Sequence, residues 1–81
     1  MEKNITIDIH IEEDTSTTSV TTVLNLMGEH FEATGTARRN PSDALIPVIG
    51  EDLALARALN ELQMQVMEAA QDKISRFCSD D

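Results

Sequence analysis

Isoleucines at positions 5, 7, 9 and 11 alternate with Thr6, Asp8, His10 and Glu12. A period of two carried by β-branched residues predicts a half-buried strand over residues 5–12. Glu12 to Thr18 is acidic and rich in Ser and Thr, and reads as a loop. A second strand is expected over residues 18–27 and a third over 30–39. Gly28-Glu29 between them suits a two-residue hairpin turn with glycine in the first central position. That turn sets Leu26 opposite Phe31, Leu24 opposite Ala33, Thr22 opposite Gly35 and Val20 opposite Ala37. These residues share one mostly apolar face. The other face pairs Asn25 with Glu32, Val23 with Thr34, Thr21 with Thr36 and Ser19 with Arg38, and it is polar. A slip of one residue would mix the two faces, so the pattern specifies the register.

Past the turn cluster Asn40-Pro41-Ser42-Asp43 and an apolar connection broken by Pro47, the period changes. At roughly 100° per residue, Leu55, Ala56, Leu59, Leu62, Val66, Met67, Ala70, Ile74 and Phe77 fall in one stripe. Arg57, Glu61, Glu68 and Asp72 fall opposite. One amphipathic helix over residues 51–77 follows, about 40 Å long at ~1.5 Å per residue. Gly50 is the expected N-cap, with Glu51 and Asp52 suited to the positive end of the helix dipole and Lys73 and Arg76 to the other.

The elements predict a single α+β domain over residues 1–81, a three-stranded antiparallel meander packed on one long C-terminal helix. Its expected core is Ile7, Ile9, Leu24, Leu26, Phe31, Leu59, Leu62 and Val66. Ala33, Gly35 and Ala37 are small, which lets the helix approach the third strand closely. The helix is longer than a seven-residue strand of about 23 Å. Its C-terminal half, carrying Val66, Met67, Ala70, Ile74 and Phe77, is therefore expected to overhang the sheet. A second copy covering that overhang predicts a homodimer, with those five residues as the interface. Met64, at the edge of the stripe, and Leu53, beyond it, widen the apolar surface further, which suits either an ordinary broad core stripe or a protein partner.

Charge narrows the partners. The 81 residues carry 15 acids against 6 bases, a formal net charge of −9, and the aromatics are Phe31 and Phe77 alone. Such a chain repels nucleic acid and anionic lipid. No apolar run approaches membrane length, and MEKNITIDIH contains no signal core, so a cytoplasmic protein is expected. The lone Cys78 excludes an internal disulfide. It sits beside Ser79-Asp80-Asp81 with no histidine near in sequence, surroundings that do not suit a catalytic thiol.

Asp8, His10 and Glu12 share a strand face, but the i, i+2 spacing of about 6.5–7 Å is wide for ligands of one ion. They read as a solvated face, and His30 as an exposed residue beside the hairpin turn. Arg38, Arg39 and Arg57 are candidates for a small phosphate-binding spot, weighed against local pairing with Asp43, Glu51 or Asp52. No nucleophile–base pair, phosphate loop or metal cluster is visible. The expectation is a non-enzymatic interaction module with no cofactor and no metal.

The stretch GTARRNPSDALIPVIGEDLALARAL, residues 35–59, adds a resemblance. Gly35 to Arg38, Pro41 to Asp43, Ile49 to Ala54 and Arg57 to Leu59 together resemble a small bacterial domain-of-unknown-function family, over nearly the whole chain. The resemblance implies a fold like the double-stranded-RNA-binding domain without its first helix. A related layout in ribosome-hibernation factors suggests, by fold analogy alone, a ribosome- or RNA-associated alternative. The family offers no catalytic residues to carry over.

Overall fold

The computed structural model describes residues 1–78. Strands β1 (Ile7–Glu13), β2 (Thr17–Leu26) and β3 (Glu29–Arg38) form one antiparallel sheet in the order β1-β2-β3, and helix α1 (Pro47–Phe77) follows. This is the predicted β-β-β-α order. The turn between β1 and β2 is organised by Asp14, whose carboxylate accepts the backbone N–H of Ser16 and of Thr17, both at 2.8 Å. These bonds, the Ser16 amide first, hold the Asp14 carboxyl below its ordinary value.

The hairpin turn between β2 and β3 differs from expectation. Its central residues are Met27 (φ 51°) and Gly28 (φ 83°), so glycine stands second and both positions are left-handed. That is the type I′ geometry, whose twist matches that of the flanking strands. The strand partners consequently move by two residues: Leu24 faces Phe31, Thr22 faces Ala33 and Val20 faces Gly35. An even shift leaves every side chain on its predicted face.

The helix also begins earlier than expected. Pro47 occupies its first turn, Ile46 is the N-cap without a side-chain bond, and Gly50 lies inside the helix. Proline lacks an N–H that the first helical turn would leave unbonded, so the residue that looked like a break is the start. Glu51 and Asp52 accordingly fall outside the first turn.

The core forms where α1 lies on β2 and β3. Val20, Ala37, Ala54 and Ala58 make one cluster; Leu24, Phe31, Ala33 and Leu62 make the second, flanked by Leu26, Val66 and Ala69. Buried Thr22 donates its hydroxyl to the Ala33 carbonyl at 3.1 Å. At Gly35 the helix backbone rests directly on the strand. A Cβ there would overlap the Ala54 carbonyl oxygen and the Ala58 amide nitrogen, and would lie 2.9 Å from the Arg57 carbonyl carbon. The predicted close approach over Gly35 is present.

Three expected core residues, Ile7, Ile9 and Leu59, are exposed, and Leu26 and Val66 are half-buried. The cause is width. A helix is about 10 Å across, and strands lie about 4.8 Å apart, so one helix roofs two strands and not three. The small residues of β3 draw α1 to that side, and the buried line of the helix is Ala54, Ala58 and Leu62. Leu55 and Val66 are half-buried at its margin, while Ala56 and Leu59 stay exposed.

Candidate functional site

The roof ends at β2, and the inner side of β1 is bare. Ile7, Ile9 and Ile11 oppose Leu24, Thr22 and Val20, and so share the face on which the core is built. They remain 39%, 47% and 42% exposed, respectively. Beside them, Ile7, Leu24, Leu59, Leu62, Val66, Met67 and Ala70 line an open groove of about 350 Å³, with Gln63 as its one polar wall.

The five residues expected to form an interface are divided by the structure. Val66 packs against its own core. Met67 and Ala70 join Ile7 in the groove. Ile74 and Phe77 lie farther along the helix and are exposed. An ion pair between Lys73 and Glu29 ties α1 to the start of β3. The helix therefore still spans the sheet at Lys73, and any overhang begins there rather than at Val66.

The two sheet edges also differ. On β3, the Arg57 Nη1 donates to the Thr36 carbonyl at 2.7 Å, and the Gln65 Nε2 to the Glu32 carbonyl at 2.9 Å. Residues four apart on a strand direct their carbonyls the same way, so these two helix side chains occupy acceptors on one side of β3. Among the described residues, no side chain hydrogen-bonds to the main chain of β1. The outer side of β1 carries Asp8, His10 and Glu12, all exposed, with the His10 Nε2 at 3.0 Å from the Glu12 Oε1. No group of residues able to hold a metal ion occurs among the described residues.

A second cleft, of about 560 Å³, lies where the β1–β2 turn, the residue 39–46 segment and the start of α1 meet. Arg39 bridges its walls, donating from Nε to the Thr15 carbonyl at 3.0 Å and from Nη1 to the Asp43 carbonyl at 2.7 Å. Arg39 and Arg57 thus donate to backbone oxygens, and among the described residues neither pairs with the carboxylates of Asp43, Glu51 or Asp52. Arg38 is exposed at the end of β3. Near the start of α1, the Glu51 carboxyl is pushed above its ordinary value by a hydrogen bond with Glu13 and by that residue's like charge. His30 is exposed, its Nδ1 at 2.8 Å from the Asn25 Oδ1. Cys78 is exposed, and the acidic residues after it lie outside the described residues.

The model of the Rv2632c-like family matches residues 3–81 of this chain. The chain belongs to that family. It is 38% identical over 64 residues to the "Uncharacterized protein Rv2632c" of Mycobacterium tuberculosis (strain ATCC 25618 / H37Rv), covering 79% of this chain and 69% of that protein. It is 34% identical over 65 residues to the "Uncharacterized protein Mb1767" of Mycobacterium bovis (strain ATCC BAA-935 / AF2122/97), covering 80% and 69%. The crystal structure of Rv2632c superposes with a TM-score of 0.90 at 31% identity, covering all of this chain and 96% of that one. Membership agrees with the resemblance carried by residues 35–59. Among the described residues, no helix is long and apolar enough to cross a membrane.

The bare β1 face was missed by sequence reasoning, although its signal is in the pattern. Three strands with one apolar face and a single helix cannot close, and the isoleucine strand lies farthest in the meander from the third strand, where the small residues seat the helix.

Proposed function

We propose that this chain is a non-enzymatic interaction module that works as a homodimer, the second copy shielding the isoleucine face of β1. The observation that carries the reading is a row of three isoleucines, each more than a third exposed, continuous with the core and with the groove beside α1. A row of this kind on a small acidic domain marks an association surface. The charge of −9 opposes association, but screening at cellular salt weakens the repulsion. The RNA-associated alternative draws no support from the surface, since Arg39 and Arg57 are engaged with carbonyls on an acidic chain.

Sedimentation equilibrium at micromolar concentration is the test. The wild type should be a dimer and Ile9→Glu a folded monomer by circular dichroism, whereas Thr34→Glu, on the outer face, should remain dimeric. A monomeric wild type, or a dimer indifferent to Ile9→Glu, would remove the reading.

A further inference from the structure

We propose that two copies join edge to edge through β1, antiparallel, with Ile9 on the two-fold axis, to give a continuous six-stranded sheet. The inference rests on the dimeric reading and adds its geometry. Exposed strand edges are ordinarily blunted by proline, charged side chains, bulges or a covering element. β3 has such cover in Arg57 and Gln65. β1 contains neither proline nor lysine, its charges are Asp8 and Glu12 on the outer face and Glu13 at its end, and no side chain among the described residues hydrogen-bonds to its main chain. Of the two edges, β1 is the less covered.

The register follows from parity and charge. Directly opposed residues in an antiparallel pair share a face. A two-fold axis through residue k pairs residues whose numbers sum to 2k, so isoleucine always meets the isoleucine side. With the axis at Ile9, Ile7 faces Ile11 of the second copy and Ile9 faces itself. On the outer side, Asp8 faces His10 of the second copy, twice over by symmetry, a carboxylate against an imidazole. The neighbouring choices fail. An axis at Asp8 sets that carboxylate against itself. An axis at His10 sets Asp8 against Glu12 and buries Glu13 against Ile7. An axis at Ile7 pairs residues that lie before the start of β1. Centred on Ile9, the isoleucine rows of both copies form the floor of one trough. Its walls are the two helices, with Leu59 and Met67 on their facing flanks.

Cysteine cross-linking reads the register directly. In a Cys78→Ser background, Ile9→Cys places two thiols on opposed residues, whose Cα atoms lie about 4.5–5.5 Å apart in such pairs, within the disulfide range. Mild oxidation should convert Ile9→Cys to a disulfide dimer. Ile7→Cys and Ile11→Cys alone should stay largely unlinked, and their mixture should yield the mixed dimer. Asp8→Lys should weaken association several-fold, up to about thirty-fold if both symmetric pairs contribute at the upper range for cross-strand pairs. Asp8→Lys combined with His10→Glu should restore it. A sedimenting dimer in which Ile9→Cys fails to link, or Ile7→Cys links to itself, would overturn the edge register and leave the dimeric reading standing. A monomeric wild type would overturn both.

Discussion

At β3 the sheet is finished twice over. Its inner face lies under α1, with Gly35 and Ala37 against Ala54 and Ala58, and two of its edge carbonyls, those of Thr36 and Glu32, are occupied by Arg57 and Gln65. At β1 neither holds: the isoleucines have no roof, and no side chain among the described residues occupies the main chain. Both strands alternate apolar and polar positions, so periodicity alone does not separate them. The difference lies in how closely the helix can approach. Small residues on β3 and on α1 let two backbones nearly touch, which fixes the helix over one side of the sheet. The β-branched row of β1 would hold a helix farther off.

The largest expected effect is on that close contact. Gly35→Val adds a branched side chain where even a Cβ meets helix backbone, and backbone cannot swing aside as a side chain does. Overpacking typically costs about 1–3 kcal/mol and occasionally more; here the loss should reach or exceed the upper end. Thermal denaturation is the measure, and a variant as stable as wild type would mean that α1 is not seated on β3.

A second contrast compares two leucines one turn apart on the same helix. Leu62 is buried and Leu59 exposed. Leu62→Ala should cost ~2–5 kcal/mol, the range for large-to-small core changes. Leu59→Ala should cost well under that in dilute protein. On the dimeric reading its cost rises with protein concentration, as the trough assembles. Urea unfolding of both variants at low and high concentration separates the cases, and equal losses at every concentration would mean that Leu59 belongs to the monomer core.

Element order, strand faces and the seat at Gly35 were legible because each rests on a periodic or steric rule that acts locally. The two-residue error in the hairpin register was harmless for the same reason: faces repeat every second residue, so Phe31 and Leu24 remain inside whichever partner they take. The helix start was misread because Pro47 has two opposite meanings, a break inside a helix and a favoured residue in its first turn. The candidate site was legible only in part. Met67 and Ala70 reach the groove, but the expected overhang came from comparing helix and strand lengths, whereas the exposed surface arises from sheet width. Ile7 and Ile9 were assigned to a core that one helix cannot supply.

The smallest expected effect lies where the bare strand ends. Glu13, the last residue of β1, interacts with Glu51 on α1, and the Thr18 hydroxyl donates to the Glu13 Oε2 at 3.4 Å. The Glu51 carboxyl is raised from 4.5, first by its hydrogen bond to Glu13 and then by that residue's charge. A folded-state value above the unfolded one means that the folded chain holds this proton more tightly. The contribution is therefore favourable at pH below 4.5 and declines as pH rises through the raised value. Asp14 works in the opposite sense. Its value is lowered from 3.8, so its contribution is present above that pH and fades as pH falls through the lowered value. Glu13→Gln removes the like charge and should return Glu51 toward its ordinary titration, read by carbon-detected NMR of the carboxyl. The melting temperature at pH 7 should rise slightly, and its dependence on pH between 4.5 and 7 should flatten. Asp14→Asn should instead lower the melting temperature at pH 7 and lessen the acid loss. An unchanged Glu51 titration in Glu13→Gln would show that β1 and the helix do not meet through this pair.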